Sequence, residues 1–345
     1  MWFLKRKPTI LVLAPKCGGY KTLFSETQRA IEVAREILDG NTSLDVEYEN
    51  SGCSKKEVCV KSEILLKRKY SGIIATLLSG HVGCLIAAAD SYSIPLVLTI
   101  SSTPNLLVSS NYTLRVCFSD EKQGMAAADF IATTLGESLV GIFTDIDLRY
   151  TAVISAEFRK RFVGLGGTVE PFFQRKGRFC FEPQMKLAVS RGVKTFFIAA
   201  SPGKVLELVR LGKSIGQNLR FVTTDWTAAL EMSDSEISEE LYFTTHYHPH
   251  ANPTPFSEVF FGRYVRKFGK KPSFAAALSF DAYLVLKGLL EEYGDKIPEV
   301  FLDKKRVFGG VTGHLIYNGS GDPIKDVVVV QFRKGEEVFV RSVRV

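Results

Sequence analysis

Short aliphatic and β-branched runs alternate with helix-patterned stretches along this sequence, and the alternation begins twice. "TILVLAP" (9–15), "LDVEYEN" (44–50), "GIIATLL" (72–78), "IPLVLTI" (94–100) and "LRVCF" (114–118) read as strands, and helix-like stretches separate the first four. Ser25 reads as the N-cap of one helix, with Gln28 placed for a capping box and Ile31, Ala34, Ile37 and Leu38 at helical spacing. The rhythm restarts after 119–136, where a helix opens near Asp120. "SLVGIFTD" (138–145), "GTVEPFF" (167–173), "TFFIAAS" (195–201), "LRFVTTD" (219–225) and "ELYFTTH" (240–246) follow as strands, with helical stretches after the first four. Strands alternating with helices give a doubly wound parallel sheet covered on both faces, so the chain is expected to be α/β with two similar lobes.

The length supports this division, because 345 residues exceed one ordinary core. A composition of 46% hydrophobic and 23% charged residues belongs to a folded globular protein. No apolar run approaches the roughly 20 residues that span a bilayer. The opening "MWFLKRKPTILVLAP" places its charges after four apolar residues, unlike a signal peptide. The sequence therefore reads either as a mature form or as a chain without a leader. The net charge of +7 comes from scattered residues, and "LKRKY" (66–70) and "EFRKRF" (157–162) read as solvated helix faces. No nucleic-acid partner is expected.

Open parallel sheets bind ligands at the carboxyl ends of their strands, and a cleft between two lobes is the natural site. Ser79 and Gly80 follow the strand 72–78 and precede a helix whose first N–H groups suit an anion. Ser101, Ser102 and Thr103 follow the next strand, before Pro104. Asp145 and Tyr150 follow the first strand of the second lobe, and Asp225 and Trp226 end another. Hydroxyls and helix N–H groups on one side with a carboxylate on the other suit a ligand bearing a carboxylate and an ammonium group, most simply an α-amino acid. Each residue also has an ordinary reading. Ser102 and Thr103 suit a turn, Asp225 could cap a helix through the N–H groups of Thr227 and Ala228, and Tyr150 could be a packed aromatic.

Two motifs point elsewhere. "HYHPH" (246–250) holds three of the five histidines, and residues i, i+2 and i+4 of a strand share a face, so His246, His248 and His250 could converge on a metal. Pro249 breaks a regular strand within the triplet, so no metal site is expected. "GKSIG" (212–216) matches a nucleophile elbow, but a helix precedes it and a strand follows, the reverse of what the elbow requires. Glu207 stands where a P-loop needs its first glycine. No catalytic set and no cofactor are expected.

Four segments in order, "GIIATLLSGHVGCLIAAADSYSIPLVLTISSTPNL", "NYTLRVCFSDEKQGMAAADFI", "GKKPSFAAALSFDAYLVLKGLLE" and "GVTGHLIYNGSGDP", resemble the type I periplasmic binding proteins of the leucine/isoleucine/valine-binding class, the substrate receptors of ABC importers. The resemblance runs from about residue 8 to 342. It implies two doubly wound lobes joined by three crossover hinge segments, near 118–121, 246–251 and 324–328. One lobe is then 1–119 plus 250–325, the other 120–249 plus 326–345, and "HYHPH" falls on the second crossing as a polar hinge. The resemblance further implies that Ser79 and Gly80 help bind the ligand's carboxylate, that the loop of Ser101 and Ser102 contributes a hydroxyl and backbone groups, that Tyr150 closes over the ligand, and that Asp225 holds its ammonium. Hinge closure would bring Tyr150 and Asp225 onto a ligand already held by the first lobe.

The sequence departs from the family where Thr151 follows Tyr150 in place of glycine, and where "AASPGK" (199–204) stands in place of a Gly-Tyr strand end. The pocket is then wider or more polar, and Tyr20 and Trp226 are candidates for its walls. The implied partners are a small-molecule ligand and the permease of an ABC importer, with the chain a monomer or weak dimer outside the cytoplasm. A ligand-sensing regulator or receptor domain of the same fold, binding a small amide or carboxylate, is the alternative, and its cytoplasmic form would keep its thiols reduced. The six cysteines, at 17, 53, 59, 84, 117 and 180, contain no C-x-x-C pair. Cys17 and Cys53 lie just beyond adjacent strands, and a disulfide between them would favour an exported protein.

Overall fold

The computed structural model describes residues 7–40, 44–174, 181–215, 218–226 and 241–345, and the side chains of all of these except 172–174. The chain forms two compact units, Met1–Phe118 with Asn252–Lys325 and Ser119–Ala251 with Asp326–Val345. It therefore passes from one unit to the other three times.

The first unit opens with β1 (Thr9–Ala14), α1 (Lys21–Leu38), β2 (Asp45–Asn50), α2 (Lys55–Leu65), β3 (Gly72–Ala75), α3 (Gly83–Tyr92), β4 (Leu96–Leu98) and β5 (Thr113–Arg115). The strands form one parallel sheet in the order β2-β1-β3-β4-β5. β1 is buried from Ile10 to Ala14, as a strand covered on both faces must be. α1 turns Leu23, Thr27, Ala30, Ile31 and Ala34 inward. Ser25 does not cap it. Gly18, at φ +58°, lets the chain leave β1 through a 3-10 turn (Gly18–Tyr20), so the helix starts at Lys21 and Ser25 lies within it. The Ser25 hydroxyl donates instead to the Thr22 carbonyl at 2.9 Å, the local bond a helical serine makes. β3 and β4 are shorter than the apolar runs that contain them. Residues 76–78 and 99–100 leave the sheet and begin the loops that carry Ser79 and Ser101.

In the second unit α4 (Asp120–Thr133) is capped by Ser119, and β6 (Leu139–Asp145), α5 (Arg149–Gly164), β7 (Thr168–Gln174), α6 (Phe181–Ser190), β8 (Thr195–Ala199), α7 (Pro202–Ser214), β9 (Arg220–Thr223) and β10 (Leu241–Thr245) follow. Phenylalanines dominate this core. Phe158 stacks on Phe197 with centroids 4.1 Å apart, and Phe143 meets Phe181 edge-on at 5.0 Å. Gly212, Lys213 and Ser214 close α7, which removes the strand-turn-helix context a nucleophile elbow needs. The cap partners Thr227 and Ala228, the stretch after 226 and Cys180 lie outside the described residues.

The chain returns to the first unit as α8 (Ser257–Phe268), α9 (Phe274–Tyr293), α10 (Ile297–Phe301) and an antiparallel sheet of β11 (Lys305–Gly310), β12 (Gly313–Asn318) and β13 (Pro323–Ile324). α9 is buried on nearly all sides, packs along α1, and begins at a Ser273 cap that accepts from Ala276 N–H. β14 (Val327–Arg333) and β15 (Glu336–Val343) finish the second unit as an antiparallel pair, giving the order β15-β14-β10-β9-β8-β6-β7. Among the described residues no helix is long and apolar enough to cross a membrane.

Two disulfides staple the first unit. Cys17–Cys53 joins the loop after β1 to the loop after β2, with Cα atoms 6.0 Å apart. Cys59–Cys84 joins α2 to the first turn of α3, with Cα atoms 5.1 Å apart. The second pair was not anticipated from the sequence, because it forms only once α2 and α3 lie side by side.

Candidate ligand-binding site

In the first unit the site residues occupy loops at the carboxyl ends of β1, β3 and β4. The Ser79 hydroxyl accepts from the Thr103 N–H at 3.1 Å, which joins the loops after β3 and β4. Ser101 is fully buried, and its hydroxyl donates to the Leu77 carbonyl at 2.7 Å. The side-chain contact expected of Ser101 is thereby taken up inside the unit, and Ser102, half-buried, is the next hydroxyl on the loop. Arg115 holds the loop from below. Its guanidinium, 1% exposed, donates to the carbonyls of Ser101 at 3.1 Å and Thr103 at 2.9 Å and pairs with Asp322 at 2.7 Å. Cys117 adds a thiol bond to the Ser101 carbonyl at 3.4 Å.

Gly80 is exposed with open space where a side chain would stand, as is Gly83 at the start of α3. No side chain caps α3, whose N-cap is Val82. Its first N–H groups therefore have no intrahelical acceptor and suit a carboxylate. Tyr20 ends the 3-10 turn after β1, half-buried, beside the Cys17–Cys53 bridge.

In the second unit Asp145 ends β6, Tyr150 follows it, and Asp225 and Trp226 follow the end of β9. Tyr150 is the second residue of α5 and is half-buried, as are Asp225 and Trp226. The Gln123 amide, buried in α4, donates to Asp225 Oδ1 at 3.0 Å and lies 3.0 Å from Thr244 Oγ1. His246 Nε2 stands 3.5 Å from Asp225 Oδ2. One carboxylate oxygen thus receives a neutral amide donor, and the other faces a ring nitrogen whose charge depends on its protonation. Asp145 is buried and pairs with Lys204 at 2.8 Å.

"HYHPH" does not gather its three rings on one centre. His246 faces Asp225, while His248 Nε2 lies 3.3 Å from the Glu337 carbonyl and its Nδ1 accepts from the His250 N–H at 3.3 Å. Gln123, Arg115 and Lys204 were not singled out from the sequence. Gln123 lies in a polar stretch and Lys204 at a helix start, with no local signal of their partners, whereas Arg115 is the one charged residue of the apolar run "LRVCF", a signal of a buried cation that the sequence does carry.

The sequence model of the family described as periplasmic binding protein matches residues 9–324. The chain belongs to the periplasmic binding protein family. This periplasmic binding protein is similar to a leucine-binding protein, LivK, from Thermotoga maritima MSB8, at 29% identity and a TM-score of 0.83, covering 98% of this chain and 99% of that one. It is similar in fold to the branched-chain amino acid transporter substrate-binding protein LivJ from Streptococcus pneumoniae, solved with isoleucine, at 16% identity and a TM-score of 0.83, covering 98% of this chain and 100% of that one. It is likewise similar in fold to a solute-binding protein of an ABC transporter from Rhodopseudomonas palustris BisB5, solved with 3,4-dihydroxybenzoic acid, at 16% identity and a TM-score of 0.80, covering 98% and 96%. No curated protein matches the chain. The type I, leucine-binding-class resemblance read from the sequence and its α/β fold therefore hold.

Proposed function

We propose that this periplasmic binding protein captures a small zwitterion, an amino acid or close relative, and hands it to the permease of an ABC importer. The observation that carries this reading is the half-buried Asp225 carboxylate, held by the Gln123 amide at a strand end. A carboxylate kept in place there awaits a cation, and a ligand ammonium is the simplest one. On the first unit, Ser79, Gly80, Ser102 and the first N–H groups of α3 supply donors for the ligand's carboxylate, with Ser101 as the buried anchor of that loop. Tyr20, Tyr150 and Trp226 supply aromatic surface for the rest of the ligand.

The two disulfides support a place outside the cytoplasm, where such bonds persist, and weigh against a cytoplasmic regulator. The leucine and isoleucine proteins among the similar structures support the amino-acid class, and the dihydroxybenzoate protein makes aromatic acids the reading to beat.

The test is thermal unfolding of wild type and Asp225→Ala against amino acids, small carboxylates, amides and aromatic acids. A ligand at 100 times its Kd stabilises the folded form by about 2.7 kcal/mol. An amino acid that raises the wild-type midpoint but not that of Asp225→Ala supports the reading. Stabilisation by aromatic acids alone overturns it.

A further inference from the structure

We propose that Lys204 is a specificity-determining residue that masks the Asp145 carboxylate, so that of these two strand-end carboxylates Asp225 alone is offered to a ligand and ligands carrying two positive charges are selected against. The inference rests on the amino-acid reading above and names the charge class of its ligand.

The geometry begins with the register of three adjacent parallel strands. Phe143 of β6 pairs with Ile198 of β8, and Ile198 with Thr223 of β9. Asp145, the last residue of β6, stands two residues beyond that row, and Asp225 lies two residues past Thr223, where β9 ends. Both residues therefore stand at the carboxyl ends of strands separated by one strand, whose axes lie about 10 Å apart at the sheet's usual spacing. The residue two beyond Ile198 is Ala200, buried and without a polar group. This is an arrangement for two cations.

The chain holds one half of it closed. Lys204, in the first turn of α7, is tethered just beyond the end of β8 and reaches Asp145 Oδ2 at 2.8 Å. The Asp145 carboxylate is 2% exposed and Lys204 24% exposed, so the ammonium covers the carboxylate from its open side. A second donor, the Asp147 N–H, lies 3.3 Å from Asp145 Oδ1. The other charged side chains of this loop, Asp147 and Arg149, are exposed. An unpartnered carboxylate at this depth is costly, so with Lys204 removed Asp145 is left to recruit another cation. Asp225 differs because its partners are the neutral Gln123 amide and His246, neither of which is a permanent cation.

Lys204→Met keeps most of the aliphatic volume of a partly exposed side chain and deletes its charge. The double variant Asp145→Asn/Lys204→Met removes both charges. Calorimetric titration of wild type and both variants with leucine, lysine, arginine and the diamine cadaverine tests the masking. Lys204→Met is expected to shift the ratio of lysine to leucine affinity toward lysine by tenfold or more, and the double variant to return it to the wild-type value. A folded Lys204→Met protein with an unchanged ratio overturns the proposal. If no amino acid binds the wild type, the amino-acid reading falls separately. The masking is then decided by cadaverine, which binds Lys204→Met and not the double variant if the proposal holds, and binds them equally or not at all if it does not.

Discussion

The Gln123 side-chain amide meets Asp225 Oδ1 at 3.0 Å across 102 residues of sequence, and it lies equally close to Thr244 Oγ1. Asp225 follows β9 and Thr244 lies within the neighbouring β10, so a helix side chain fixes the direction in which a strand-end carboxylate points. A hydrogen bond to a charged group contributes about 1.5–3 kcal/mol. Gln123→Ala is therefore expected to weaken amino-acid binding by about tenfold or more while leaving a cooperatively folded protein. Calorimetric titration beside a ligand-free melt measures both. An unchanged Kd would show that Asp225 keeps its position without the amide.

Arg115 serves the other unit in the same way. Its buried guanidinium satisfies the carbonyls of Ser101 and Thr103 and pairs with Asp322. Arg115→Met leaves the Thr103 carbonyl without this donor, the Ser101 carbonyl with the Cys117 thiol, and the partly exposed Asp322 without its cation, and a buried acceptor left unsatisfied costs about 1–3 kcal/mol. Urea unfolding should show a loss of that size. A loss under about 1 kcal/mol, the worth of an exposed pair, would mean that water replaces the guanidinium.

The strands were legible because parallel strands buried on both faces read as continuous apolar runs, and "TILVLA" and "TFFIA" are buried almost throughout. The Ser25 cap was misread because a glycine at positive φ four residues after β1 moved the helix start upstream, which local propensity does not encode. The antiparallel β11–β13 sheet escaped because its central strand, GHLIYN, alternates in burial but not in polarity, with apolar Ile316 on the outer side between Leu315 and Tyr317. Of the site, the strand-end hydroxyls and Asp225 were legible from position alone. Which hydroxyl turns inward, as Ser101 does, is decided by a carbonyl 24 residues away. Lys204 and Gln123 were illegible because their partners lie on other elements.

Oxidation state offers a direct check on the compartment. Among the described residues four cysteines are paired, as Cys17–Cys53 and Cys59–Cys84. The loops closed span 36 and 25 residues, for which chain-entropy arguments give about 3–4 kcal/mol each. Alkylation of the denatured, unreduced protein followed by mass spectrometry should leave these four cysteines unmodified. Cys59→Ser/Cys84→Ser should lower stability by about 2–4 kcal/mol. Modification of all six would remove the support that the disulfides give to a place outside the cytoplasm.

Gly124 sets how closely α4 approaches α5. A Cβ there would lie 2.3 Å from the Ile154 carbonyl oxygen, a backbone atom that cannot rotate aside. Gly124→Ala must push the helices apart, and overpacking of this kind costs about 1–3 kcal/mol. Because Gln123 is the preceding residue, the same change should also displace the amide from Asp225. A denaturant midpoint and a ligand titration on one sample separate the effects. Lost stability with full affinity would show that α4 moves without carrying Gln123.

Asp281 gives the first unit a pH dependence of unusual sign for a carboxylate. It is fully buried in α9, accepts from the N–H of Val311 at 2.6 Å and of Thr312 at 3.2 Å, and is bonded by the Thr312 hydroxyl. Lys325 donates to that hydroxyl and to the Val116 carbonyl. Burial pushes the Asp281 carboxyl up to about 6, and Lys325 with the Thr312 and Val311 donors only partly opposes it. The folded state therefore binds this proton more tightly than the unfolded chain does, whose carboxyl titrates near 3.9. Between pH 6 and 4 this residue alone makes the wild type more stable as pH falls, by on the order of 2–3 kcal/mol. Asp281→Asn lacks the titration, so its stability should decline more steeply than that of wild type as pH falls through that window. Parallel stability curves from pH 7 to 4 would show that Asp281 stays ionised throughout, with Lys325 outweighing its burial.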